Sequence, residues 1–112
     1  MITARRAAEE LQLTVRAAER GLEAEINGGI VCDLLSVVMS QAAKGDLWIT
    51  VQCHPNVVAV AALAGLAGIV ITYGYEPEPA TLAKAEEEGI PVLTTSASSF
   101  EVAGRLHSFG VK

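Results

Sequence analysis

Between Val57 and Tyr75 the chain carries no charged residue. A run of about 20 apolar residues is enough to span a bilayer as one helix. The interior of this run speaks against that. Gly65-Leu66-Ala67-Gly68 places two glycines mid-run, a turn signal. Before it, Val57 to Ala64 is Ala-rich and suits a helix. After it, Gly68-Ile69-Val70-Ile71-Thr72 is β-branched and suits a buried strand. The segment is therefore expected to fold as helix, turn and buried strand rather than as a membrane span.

The flanking sequence continues the pattern. Asp46-Leu47-Trp48-Ile49-Thr50-Val51-Gln52 is a near-continuous apolar strand, as parallel strands covered on both faces are. Cys53-His54-Pro55-Asn56 connects it to the Val57 helix, with Asn56 a candidate N-cap. Tyr73-Gly74-Tyr75-Glu76-Pro77 is a loop. Pro79 suits the first position of a helix running to Glu88, which Gly89 and Pro91 terminate. Pro91 to Thr95 reads as a strand, and Ser98-Ser99-Phe100-Glu101 is a capping box opening a helix to about Phe109.

The first half is less regular. Thr3 suits the N-cap of a helix over 4–11, followed by a short strand at 13–17 and a polar loop at Glu19-Arg20-Gly21. Glu23 to Ile26 has the character of a strand edge. Asn27-Gly28-Gly29 marks a tight turn with φ > 0, or a close backbone approach. Ile30-Val31-Cys32 is brief and apolar, and Asp33 is placed to cap a helix from Leu34 to Ala43. Alternating strands and helices predict βαβ units. The expected fold is a single α/β domain over 1–112: three layers, α/β/α, around a mainly parallel sheet of about five strands.

In an open α/β sheet ligands bind beyond the carboxyl ends of the strands. Here those ends carry His54 and Asn56, then Gly74 and Glu76, then Thr95 and Ser96. Helix N-termini facing the same rim would favour a phosphate or carboxylate. Asn27, Gly28, Gly29 and Asp33 complete the candidate ligand-binding set. Each has a simpler role available: capping for Asn56 and Asp33, strand propensity for Thr95, solvation for His54.

A net charge of −5 disfavours a nucleic-acid polymer or an anionic membrane as partner, since either needs a basic stripe. Cys32 and Cys53 are too few for a disulfide scaffold and too far apart for a metal motif. No metal site is expected, and no particular cofactor is indicated. The basic start Arg5-Arg6 is followed by Glu9 and Glu10 with no apolar segment, so no signal peptide is read and a cytoplasmic location is expected. Neither a phosphate-binding Gly-x-x-x-x-Gly-Lys loop nor a Gly-x-Gly-x-x-Gly turn is present.

Several motifs in order resemble the DRTGG domain family. They are Asn27-Gly28-Gly29, Asp33-Leu34-Leu35-Ser36, Gly45 to Thr50, and His54-Pro55-Asn56 to Ala61. Ala85 to Leu93 and Phe100 to Leu106 fit it as well. The family is related to the N-terminal domain of HPr kinase/phosphorylase. It occurs as a regulatory module beside CBS and phosphotransacetylase domains and as small stand-alone bacterial proteins. The resemblance implies a compact α/β/α domain without kinase machinery. Glu23-Ala24 are read where the family name has Asp-Arg, and Asn27 where it has Thr; the glycine pair is kept.

Together these readings predict a non-catalytic sensing domain. It would bind a small anionic metabolite or nucleotide at the rim and signal to a partner protein by shifting loop populations. A homodimeric assembly module, using Phe100 and Phe109 of the last helix, is the alternative. A small enzyme with His54 as general base is a further one, with no second titratable group at a telling spacing.

Overall fold

A computed structural model describes residues 2–112. Thr3 accepts the Arg6 N–H at 3.1 Å through its hydroxyl and so starts α1 (Ala4–Leu11) as its N-cap. Ala4, Ala7, Ala8 and Leu11 are the buried stripe of that helix. β1 (Thr14–Ala17) leads into a 3₁₀ turn at Glu19–Gly21, where a polar loop was expected. β2 (Gly28–Val31), α2 (Leu35–Gln41), β3 (Asp46–Thr50), α3 (Asn56–Ala64), β4 (Gly68–Ile71), α4 (Pro79–Glu88), β5 (Val92–Thr94) and α5 (Ser99–Ser108) follow in alternation.

The uncharged run is the helix, turn and strand its glycines predict. Gly65 closes α3 at φ 67°. At Gly68 a Cβ would meet the Pro91 carbonyl at 3.2 Å, a close approach between β4 and its neighbour. No helix among the described residues is long and apolar enough to cross a membrane.

The five-stranded sheet has the order β1-β5-β4-β3-β2. β2, β3, β4 and β5 are parallel, so the three βαβ units are as expected. The sheet is nonetheless mixed: β1 runs antiparallel to β5, with an irregularity between Val15 and Ala17. Because each parallel strand lies next to its predecessor, the right-handed crossover rule puts α2, α3 and α4 on the same face. Core packing agrees. Val38, Val57, Val58, Ala61 and Ala85 join Trp48, Ile69, Ile71 and Val92 in one apolar cluster. Ala7, Leu11, Val102 and Leu106 of α1 and α5 join Leu47, Ile49, Val70 and Leu93 in the other. Successive strand residues thus feed opposite clusters, which is why β3 reads as a continuous apolar run.

Four local expectations are corrected. Neither Gly28 nor Gly29 takes a positive φ; they open β2. A Cβ on Gly28 would lie 2.7 Å from Asp46 Oδ1, so the close approach there is to a side-chain carboxylate rather than to backbone. The positive φ belongs to Gly45, at 88°, where a Cβ would collide with the Asn27 amide. The segment Glu23–Ile26 forms only a single bridge, Thr3 to Glu25, because α1 already occupies the chain it would pair with. The α2 helix ends at Gln41 rather than Ala43, and β3 ends at Thr50 rather than Gln52, as the chain turns toward Asp33.

Candidate functional site

Parallel strands deliver their carboxyl ends to one edge of the sheet, and four loops meet there. They are Cys32-Asp33 after β2, Val51 to Pro55 after β3, Thr72 to Glu78 after β4, and Thr95 to Ser98 after β5. His54, Asn56, Gly74, Glu76, Thr95, Ser96 and Asp33 all belong to this rim. Asn27, Gly28 and Gly29 do not. Gly28 pairs with Asp46, the first residue of β3, so that tripeptide lies at the opposite edge. Asn27 is engaged there with the Lys44-Gly45 turn, its N–H donating to Gly45 O at 2.9 Å and its amide to Lys44 O at 3.4 Å.

Asp33 is not the N-cap of α2; that position is Leu34, with no side-chain bond. The Asp33 carboxylate instead accepts from Thr50 Oγ1 at 2.9 Å and from the Val51 N–H at 3.0 Å. Two charge-assisted bonds from a neighbouring strand outweigh one cap on a seven-residue helix. Gln52 completes the knot, its amide donating to Asp33 O at 3.0 Å.

Asn56 is the first helical residue of α3, one place past the cap it was expected to be. Its N–H donates to His54 Nδ1 at 3.0 Å, so the imidazole serves as the cap. The histidine is exposed, and among its ring nitrogens only Nδ1 is engaged in a hydrogen bond within the described residues. The adjacent Cys53 thiol is pushed up, chiefly by burial and then by Glu78 and Glu76. That opposes thiolate chemistry beside His54. The Cys53 carbonyl accepts from the Glu78 N–H at 3.1 Å and the Thr81 hydroxyl at 2.6 Å, fastening the β3 loop to α4.

Between β4 and β5 the connections diverge. The β4 loop passes to α4 in one apolar cluster and the β5 loop to α5 in the other. Strand tips at such a divergence are the common ligand position in open α/β sheets. Tyr73 and Gly74 follow β4 at that point, at φ 61° and 75°. Their N–H groups donate to Ala97 O and Thr95 O, both at 2.9 Å. The consecutive donors that could cradle an anion are thus taken by carbonyls of the next loop. Below them, Thr72 Oγ1 and Ser99 Oγ lie 2.7 Å apart, and the Thr72 N–H donates to Thr50 O. Thr95 Oγ1 accepts the Ala97 N–H at 3.1 Å, while Ser96 is exposed.

Glu76 is held from outside the rim. Arg16 of β1 grips its carboxylate with both terminal nitrogens, one at 2.8 Å. The hydrogen bonds and the charge of Arg16 hold Glu76 below the usual carboxylate range.

Sequence reasoning missed the buried hydroxyls Thr50 and Thr72, and Arg16. A signal for the former was present: the apolar runs Leu47-Trp48-Ile49, Ile69-Val70-Ile71 and Val92-Leu93 are each followed directly by threonine. Two cavities lie away from the rim. One, about 310 Å³, lies along β1 and the 3₁₀ turn, where the Ala18 N–H and Arg20 both bind Glu86. The other, about 180 Å³, lies between β2 and α5. No group of three or more His, Cys, Asp or Glu among the described residues could hold a metal ion.

No curated protein matches the chain. Among solved structures, it is similar to the CBS and DRTGG domains of the regulatory region of Clostridium perfringens pyrophosphatase, solved with the activator diadenosine tetraphosphate. The TM-score is 0.64 at 16% identity, over 88% of this chain and 43% of that one. A likeness at that identity speaks for the fold, and this chain spans less than half of its neighbour. The family name, written back from Gly28-Gly29, falls on Glu25, Ile26 and Asn27, so the placement on Glu23-Ala24 is two residues out. The DRTGG domain model matches residues 7–109, and the chain belongs to the DRTGG domain family.

Proposed function

We propose that this chain is a non-catalytic regulatory domain that binds an anionic nucleotide or metabolite at the carboxyl rim of its sheet and passes that state to a partner protein. The observation that carries the reading is the divergence of the β4 and β5 connections, whose loops carry Gly74, Thr95 and Ser96. His54 on the β3 loop and Asn56 at the start of α3 belong to the same rim. The similar regulatory region was solved with a dinucleotide activator, which favours a nucleotide among anionic ligands. The two apolar clusters fit the three-layer α/β/α arrangement. A ligand that displaced the Ala97 and Thr95 carbonyls from Tyr73 and Gly74 would free two N–H donors and reshape both loops. That is a population shift with a stated contact difference between the two states.

A general-base role for His54 has less support, because Nδ1 is spent as a helix cap and Cys53 beside it resists ionisation. Isothermal titration with adenine mono-, di- and triphosphates and with diadenosine polyphosphates tests the proposal. Binding that weakens in Ser96→Ala and His54→Ala supports it. A folded chain that binds none of these ligands overturns it.

A further inference from the structure

β2 is an edge strand with nothing paired along its outer side. Edge strands invite pairing with another chain, and proteins blunt them by keeping them short or with charge, proline or a bulge. β2, Gly28-Gly29-Ile30-Val31, is short but carries no charge, proline or bulge. The chain carries a net charge of −5, so two copies repel except where they meet through uncharged surface. We propose that β2 pairs antiparallel with β2 of a second copy, about a two-fold axis through Ile30 and normal to the sheet. The two five-stranded sheets then become one. This inference does not rest on the nucleotide reading.

The backbone is set for that register. The Cys32 N–H donates to Ile49 O, inward toward β3. Amide direction alternates along a parallel strand, so Ile30 also turns inward and Gly29 and Val31 turn their N–H and C=O groups outward. With the axis at Ile30, Gly29 of each copy faces Val31 of the other as a hydrogen-bonded pair. The two pairs exchange about four backbone bonds.

The side chains fit the same register. Gly29 and Val31 share the face of the sheet that carries α5, because they pair with Leu47 and Ile49 of that cluster. Val31 is 53% exposed, and it and Gly29 border the 180 Å³ cavity, whose other walls are Ile49, Ala103, Leu106 and Val111 with His107 and Lys112. Opposed residues in an antiparallel pair keep their Cβ atoms roughly 5 Å apart. Val31 of the second copy therefore sits over the side chain that Gly29 lacks and closes the cavity, and the relation is reciprocal, as an isologous interface requires. On the other face the N-cap Leu34 and Val37 of α2 are exposed, and the same segment of the second copy covers them.

Sedimentation equilibrium of the full chain, with circular dichroism, tests the arrangement. The wild type is expected to be dimeric at about 100 μM. Val31→Pro removes an outward N–H that β3 does not use, and Val31→Lys places charge in the seam. Gly29→Val fills the cavity from within; a Cβ there meets only Leu47 O, at 3.6 Å. Each is expected to raise the dissociation constant at least about tenfold with the dichroism spectrum unchanged, and Phe100→Ser to leave it unchanged. Should one variant unfold, the other two carry the test. A monomeric wild type at that concentration overturns the proposal, and so does a dimer that Phe100→Ser dissociates and all three β2 variants leave intact.

Discussion

The Asp33 carboxylate accepts the Thr50 hydroxyl at 2.9 Å, joining the end of β2 to the end of β3. Thr50 is fully buried, and its oxygen also accepts the Gln52 N–H at 3.1 Å. Asp33→Ala leaves a buried hydroxyl and the Val51 N–H without their acceptor. A cost of about 1–3 kcal/mol is expected in urea denaturation. Thr50→Val in the same background should add little, since the partners act together. Equal stability of Asp33→Ala and wild type would mean the bond contributes nothing.

Arg16 and Glu76 give a pH signature. The hydrogen bonds and charge of Arg16 lower the Glu76 pKa in the folded state. A lowered folded pKa contributes stability above the ordinary glutamate value, and that contribution is lost as pH falls through the folded value. The pair is exposed, so the effect is small and screened by salt. Denaturation midpoints of wild type and Glu76→Gln should differ at neutral pH and converge in acid below the ordinary glutamate range. A gap that widened on acidification would contradict the sign.

Two glycines should respond oppositely to alanine. Gly45 sits at φ 88°, and a Cβ there would collide with the Asn27 amide. Gly45→Ala is expected to cost about 1–3 kcal/mol. Gly104 is exposed within α5, with nothing within 4 Å of a Cβ. Gly104→Ala should stabilise by about 0.5–1 kcal/mol, because alanine loses less backbone freedom in a helix. Thermal melts of the two variants that shifted in the same direction would reject this account.

What could be read in advance follows the range of the interactions involved. Gly65 and Gly68 dividing an apolar run, Pro79 and Gly89 bounding α4, and Ser98 with Glu101 opening α5 are local, so the sequence alone locates them. The direction of β1 is not local. Thr14 pairs with Thr94, and no turn between them signals it. Asp33 resembled a cap because the competing Thr50 lies on another strand. Asn27-Gly28-Gly29 looked like a turn because composition does not say which glycine takes the positive φ. Here Gly45 does, and it brings Asn27 to the edge opposite the rim. The rim residues His54, Gly74 and Thr95 were legible because they follow apolar strands directly. Their occupation by neighbouring N–H and C=O groups was not, since it depends on contacts between loops.

Ser96 and Ser98 separate binding from folding at the β5 loop. Ser98 is the N-cap of α5, its hydroxyl accepting the Glu101 N–H at 3.1 Å. Losing such a cap costs about 1 kcal/mol, so Ser98→Ala should lower stability. Ser96 is exposed on the β5 loop, and Ser96→Ala should leave the denaturation midpoint in place. If the rim takes a nucleotide phosphate, the Ser96 hydroxyl is a donor to it, and its loss should weaken binding by about 0.5–1.5 kcal/mol. Titration and denaturation on the same two variants decide between the roles. Were Ser98→Ala to lower affinity while Ser96→Ala left it unchanged, the ligand would lie toward the α5 N-terminus, away from Gly74.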